Sequence, residues 1–251
     1  QDNLALDPGD YQRLLKLYDP RFAKQELEGE WIDVHKGRAY WAFVRAYAPA
    51  GHILRPDDIP YRADFALELC VDFNVSPMCW NVCQEFPYNG DAVVYCIDEI
   101  HIDGSSTEEA IREFVRRYGS HKGGVHIWGD ATGRARHTSA SRTDYEIILQ
   151  GLEAAEIPKV EIRVGKSNPL VTDRVNSVNG RLKNSKEEVR FFISEKCKET
   201  IQDFERVSFK PGTRELEKRK KTDDSLTHHT DAIGYYIDRQ FPVRQIKVRR
   251  K

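Results

Sequence analysis

Long apolar runs are missing from this sequence. None approaches the ~18 residues that a membrane-spanning helix needs, and no signal-like segment opens the chain. Cysteine is scarce, five in 251 residues, an odd number with no C-x-x-C pair. Cys70, Cys79, Cys83 and Cys96 lie in apolar strand-like runs, where cysteine acts as a small hydrophobe. Cys79 and Cys83 share a strand face by spacing, but no second ligand pair follows, so no structural zinc site is expected. A reducing cytoplasm is the expected setting. Familiar catalytic signatures are lacking as well. Gly165-Lys166-Ser167 has the ending of a phosphate-binding loop, but Val160 stands where its first glycine belongs. His121 and His126 belong to no H-E-x-x-H, and no G-x-S-x-G elbow occurs. Apolar material is sufficient: 39% of residues are hydrophobic, with 11 Phe and 11 Tyr, which excludes wholesale disorder. The length suits one or two domains. With Gln1 rather than Met at its start, the chain is expected to be a soluble, globular piece of something longer.

The formal net charge of −1 conceals an asymmetry. Residues 1–100 carry a balance of −8, and residues 101–251 one of +7. Lys218-Arg219-Lys220-Lys221 is one dense basic stretch, and residues 239–251 hold six basic residues and no acidic one. Such polarity suits a polyanion-binding surface, although a solvated face would look the same.

Two regions are expected. Residues 1–62 read as a helical appendage or linker, with helices over 11–17 and 20–27, a strand over 39–43 and a loop over 52–60. Residues 63–251 read as one α/β domain. Strands are expected over 66–73, 78–86 and 92–97, with Asn89-Gly90 as a hairpin turn. A helix over 107–118 opens on a Ser106/Glu109 capping box, and a short buried parallel strand follows over 125–128. Helices over 145–152 and 170–182, strands over 160–164 and 191–193, and helices over 197–204 and 225–240 complete the pattern. Val207 to Asp224 reads as a polar, basic loop. Antiparallel strands followed by strand–helix alternation predict one mixed sheet with helices on its faces.

Three aspartates stand out within that pattern. Asp72 ends the first strand of the domain, Asp130 follows the short parallel strand between Gly129 and Gly133, and Asp231 lies off the apolar stripe of the last helix. Singly, each has an ordinary role as strand-end cap, turn residue or solvated carboxylate. Together, carboxylates at the ends of two parallel strands can converge at the sheet's carboxyl edge, with a third supplied by a helix packed across it. Oxygen ligands of this kind suit Mg²⁺ or Mn²⁺ rather than Zn²⁺, and two such ions could serve phosphodiester hydrolysis. Glu99 is a fourth candidate. His228 and His229 could assist as base or ligand.

These segments also resemble a known family. The series Val71-Asp72-Phe73-Asn74-Val75-Ser76-Pro77-Met78, Gly129-Asp130-Ala131-Thr132-Gly133 and His228-His229-Thr230-Asp231-Ala232-Ile233-Gly234-Tyr235 resembles the nuclease domain of the large terminase subunit of tailed bacteriophages. Lys166-Ser167-Asn168-Pro169 and Arg174-Val175-Asn176-Ser177-Val178-Asn179 are similar to that family too, and Leu17-Tyr18-Asp19-Pro20 resembles its linker after the ATPase domain. The resemblance implies a ribonuclease H-like α/β fold, a mixed central sheet flanked by helices. It further implies that Asp72, Asp130 and Asp231 bind Mg²⁺ or Mn²⁺, two ions in all, as catalytic carboxylates of a DNA endonuclease. Its substrate would be concatemeric viral double-stranded DNA, cut during genome packaging in the cytoplasm of an infected bacterial host. The implied partners are an ATPase domain, a small terminase subunit and a portal, with no membrane. Another nuclease of the same fold, such as a resolvase or transposase core, and a non-catalytic DNA-binding module are the rival readings.

Overall fold

Asn89 and Gly90 both adopt positive φ, 49° and 75°, the geometry a two-residue hairpin needs to match strand twist. The turn they form joins the two longest strands of a seven-stranded sheet. A computed structural model describes residues 7–29, 37–74, 76–134, 142–217 and 226–243. In chain order its elements are α1 (Pro8–Leu17), α2 (Pro20–Glu28), β1 (Ile53–Leu54), β2 (Leu67–Asp72), β3 (Met78–Tyr88) and β4 (Asp91–Ile102). There follow α3 (Thr107–Tyr118), β5 (Val125–Gly129), α4 (Asp144–Ala154), β6 (Val160–Ile162), α5 (Val171–Leu182), β7 (Phe191–Ser194), α6 (Lys198–Arg206) and α7 (His228–Gln240). No helix among the described residues is long and apolar enough to cross a membrane.

The sheet order is β1-β7-β4-β3-β2-β5-β6, with β3 antiparallel to both its neighbours and every other pairing parallel. Within it, β2, β3 and β4 form a meander, and β5 and β6 return on the far side of β2. It agrees with the mixed sheet flanked by helices expected from the sequence. One face carries α3 and α4, which bury Ile111, Phe114, Ile148 and Leu152 against Leu69, Trp80 and Ile127. The opposite face carries α5, α6 and α7, burying Val178, Phe204, Ile233 and Tyr236 against Cys70, Cys83, Cys96 and Ile193.

The expected strand over residues 39–43 is not one. Its apolar side chains enter the core by way of turns, with the Tyr40 and Phe43 rings 4.9 and 5.3 Å from the Phe204 ring. Asn179 serves the backbone in place of a ladder, donating from Nδ2 to the Ala39 carbonyl (2.9 Å) and accepting from the Ala42 N–H (3.4 Å). The expected loop over residues 52–60 contains β1, which pairs with β7.

A second departure matters more for the site. Strand β4 runs on to Ile102, so Glu99 lies within it rather than at its end. A bulge breaks the register where Val82 faces Asp98 and Cys83 faces Cys96, leaving Ile97 as the extra residue. The bulge shifts the alternation by one. Beyond it, Glu99 and His101 sit opposite Asn81 and Cys79, on the face that carries α6 and α7.

The N-terminal helices dock on α5 and the turn that follows it, where the Asn184 amide donates to the Lys16 carbonyl (3.0 Å) and Ser185 N–H to that of Tyr18 (2.9 Å). Asp19, 1% exposed, caps α2 by accepting from the N–H groups of Arg21 and Phe22. Burial pushes its carboxyl up to about 6, against the pull of those two donors. Because this lies above the unfolded value of about 3.9, the group's stabilisation is full below about pH 4 and is lost as pH rises through 6. Asp19→Asn, an uncharged cap, should flatten that loss, while Asp19→Ala should flatten it too and cost about 1 kcal/mol for the lost cap at pH 4, less as pH rises. Urea unfolding between pH 4 and 7 reads both effects, and parallel pH profiles for wild type and Asp19→Asn would contradict them.

Candidate active site

Strands β2 and β5 run parallel, with Val71 paired to Gly129. The next residues, Asp72 and Asp130, therefore stand side by side at the sheet's carboxyl edge, where α/β folds build their sites. Asp72 is 7% exposed. Its Oδ2 accepts from the Asn74 amide nitrogen (2.6 Å) and lies 2.9 Å from His228 Nδ1 at the start of α7. The same Asn74 nitrogen is 2.8 Å from His228 Nδ1, so the amide, the imidazole and the carboxylate form one polar group.

Asp130 opens a short 3₁₀ turn over Ala131–Arg134. Its Oδ1 accepts from Thr132 N–H (2.6 Å) and from the Asn168 amide (2.8 Å), and its Oδ2 from the Tyr235 hydroxyl (3.4 Å). Partial burial opposes ionisation, but these donors outweigh it and hold the carboxyl below its ordinary value. The turn is fastened from behind, because Tyr145 donates to the Asp130 carbonyl (2.7 Å) and stacks edge-on against Phe73.

Asp231 completes the arrangement through α7. His228, Asp231 and Tyr235 recur at three and four residues, so they share one helix face. The first touches Asp72 and the last touches Asp130, which places Asp231 on the face that spans both strand ends. It is not the solvated carboxylate its position off the apolar stripe suggests. Asp231 is 9% exposed, and its Oδ1 accepts from Arg174 Nη2 at 2.6 Å. Arg174, on α5 and 4% exposed, also lays its guanidinium over the Tyr235 ring, 4.5 Å from the centroid. Gly234 makes room for it, since a Cβ there would come 2.5 Å from Arg174 Cγ. The carboxylates are linked by these neighbours rather than packed together. Among the described residues, no oxygen from each of the three lies within 4.8 Å of the other two.

Glu99 lies elsewhere. Both its oxygens cap α6, accepting from the N–H groups of Glu199 and Thr200 and from the Thr200 hydroxyl, and burial pushes its carboxyl up to about 7. His229 points away from its neighbour His228, toward His101. Residues 218–221 and 244–251, which hold most of the basic stretches, lie outside the described residues. From the sequence, Arg174 and Tyr235 carry no role of their own beyond their motifs. The signal for Arg174 was present, a cation standing within the apolar stripe of its helix. Close backbone approach is a further requirement: a Cβ on Gly129 would lie 2.5 Å from the Val71 carbonyl oxygen, which cannot swing aside. Gly129→Ala should cost about 1–3 kcal/mol and part the strand ends that bear Asp72 and Asp130. Calorimetry on that variant checks the cost, and an unchanged melting temperature would mean the strands accommodate a methyl.

No protein-family model and no curated protein matches this sequence. Solved structures are similar in shape. The nuclease domain of the P22 large terminase matches with a TM-score of 0.46 and 14% identity, over 79% of this chain and 93% of that one. The g2p large terminase nuclease domain of bacteriophage SPP1, solved with bound Mn, matches at 0.44 and 17%, over 75% and 95%. RuvC of Thermus thermophilus matches at 0.32 and 10%, over 70% and 93%.

Proposed function

We propose that the chain is a divalent-metal-dependent DNA endonuclease of the ribonuclease H-like superfamily, acting as the nuclease domain of a viral large terminase that cuts concatemeric double-stranded DNA during packaging. The observation that carries the reading is the pairing of Asp72 and Asp130 at the ends of adjacent parallel strands, with Asp231 on the helix that touches both. The finer assignment to terminases rests on the ordered motif series in the sequence. The donor set fits a hard divalent ion, because Asp72, Asp130 and Asp231 offer carboxylate oxygens, with His228 Nδ1 beside Asp72 Oδ2. Mg²⁺ or Mn²⁺ held by these residues would activate water and stabilise the leaving oxygen of a phosphodiester.

The chain's own groups do the positioning. Asn168 and Thr132 fix Asp130 in its ionised form. Arg174 fixes Asp231, and a carboxylate has acceptor sites enough to keep that bond while binding a cation. Arg163, Ser167 and Arg239 line a cleft beside Gly129 and Tyr235 that could hold a backbone phosphate. The basic stretches at 218–221 and 239–251 add contacts of the same sequence-independent kind.

Supercoiled plasmid tests this. Nicking should require added metal and vanish in EDTA. Mn²⁺, more tolerant of irregular geometry, should exceed Mg²⁺, and the larger Ca²⁺ should not support turnover. Linear duplex should be cut in preference to four-way junctions. Equal activity in EDTA would overturn the mechanism, and preference for junctions would move the chain to the resolvases.

A further inference from the structure

Beside the carboxylates lies a second cluster of different chemistry. Register across the meander sets Asp72 opposite Cys79 and Cys79 opposite His101, in one row over three strands. The first turn of α7 lies over this row, with His228 above Asp72 and His229 above His101. Cys79 Sγ is 3.6 Å from His101 Nδ1, and His101 Nδ1 is 3.0 Å from His229 Nε2. One ligand atom from each of the three lies within 4.8 Å of the other two, and no other group of three His, Cys, Asp or Glu among the described residues converges so closely.

We propose that Cys79, His101 and His229 bind a single Zn²⁺ ion that fastens the first turn of α7 to β3 and β4. Tetrahedral zinc, with bonds of about 2.3 Å to sulfur and 2.0–2.1 Å to nitrogen, holds a sulfur and a nitrogen roughly 3.5 Å apart and two nitrogens roughly 3.3 Å apart. The observed 3.6 and 3.0 Å match those edges with little movement. The ligand set is that of a borderline-soft ion, unlike the oxygens of Asp72, Asp130 and Asp231.

The neighbours of the cluster favour the same occupant. His229 Nδ1 is 3.0 Å from the Asn81 carbonyl oxygen, and Asn81 in turn donates from Nδ2 to the Thr200 hydroxyl. Asn81 Oδ1 only accepts, so His229 carries its proton on Nδ1 and turns the Nε2 lone pair into the cluster, the outer-shell arrangement that orients metal-bound histidines. His101 then donates from Nδ1 to His229 Nε2. On binding, its proton moves to Nε2 and the Cys79 thiol releases its own to solvent, so one proton leaves per Zn²⁺ bound. Three protein ligands leave a fourth position for water on the half-exposed His101 side. The position within the fold gives the ion its purpose. It would anchor the helix that carries His228 and Asp231 at the end where both reach the carboxylate edge.

The inference does not rest on the nuclease reading, and its test uses no catalysis. The whole chain, freed of metal, is titrated with Co²⁺ and then with Zn²⁺. One Co²⁺ per chain should produce thiolate-to-cobalt charge-transfer absorption, displaced by one equivalent of Zn²⁺ with a rise in melting temperature. Cys79→Ser should abolish that absorption, Cys83→Ser and Asp72→Asn should retain it, and binding should strengthen as pH rises. His101→Ala, at a half-exposed position, keeps the test open if Cys79→Ser does not fold, and should weaken Co²⁺ by more than about tenfold. Absence of the band in wild type, its persistence in Cys79→Ser or undiminished Co²⁺ affinity in His101→Ala would overturn the proposal.

Discussion

Asp72→Asn should lose at least about 100-fold of the Mn²⁺-dependent nicking while remaining folded. Removal of an outer-shell partner alone costs 10–100-fold at metal sites, and on the proposed reading Asp72 is a direct ligand. The fold should survive because the neighbours left behind, the Asn74 amide and the His228 imidazole, include no obligate cation. Asp130→Asn should behave alike, since an amide oxygen can still accept from Thr132 N–H. Combining the two should be little worse than either, because groups that act as one unit are not additive. Plasmid nicking with unfolding curves alongside checks all three variants. Nicking by Asp72→Asn within tenfold of wild type would remove it from the site.

Arg174→Met should be the most destabilising single change near the site. It leaves Asp231, 9% exposed, without the guanidinium bonded at 2.6 Å. Breaking one side of a buried ion pair costs about 3–5 kcal/mol, because the remaining charge stays desolvated. The midpoint should fall by something on the order of 10 °C. Asp231→Asn carries the converse penalty, an unpaired buried Arg174, so its loss of activity will be mixed with a loss of fold in a way that Asp72→Asn avoids. The double variant Arg174→Met/Asp231→Leu separates the two effects. It should recover most of the stability, as apolar replacement of a buried pair is close to neutral, and recover none of the nicking. Calorimetry showing a double variant no more stable than Arg174→Met would mean that the pair is not the source of the loss.

The reading of elements from sequence succeeded where one local rule governed. The helix over 107–118 was fixed by Ser106 and Glu109, whose reciprocal cap is present as expected. Asn89-Gly90 set the hairpin, and the short apolar run beginning at Val125 became the buried parallel strand beside β2. Residues 39–43 failed because an apolar run reports burial and not the route of the backbone. There the long-range amide of Asn179 stands in for a strand partner. Glu99 failed for another reason. The apolar run ends at residue 97, whereas the bulge at Ile97 lets β4 continue to Ile102 and sets the face on which Glu99 and His101 lie.

The sequence by itself determined the class of fold and the candidate carboxylates. Periodicity, caps and turns are local, and carboxylates at strand ends can be recognised without knowing their neighbours. The tertiary structure alone decided what each of those groups touches. That His228 meets Asp72, that Asp231 is held by Arg174 from another helix, and that Cys79 faces His101 and His229 rather than pairing with Cys83 all depend on contacts between residues far apart in the chain. Such contacts are fixed by the strand register, by the bulge and by the seating of α7 over the sheet. Each is a choice among alternatives that local propensity leaves nearly equal in energy, and the packing of the whole core is what separates them.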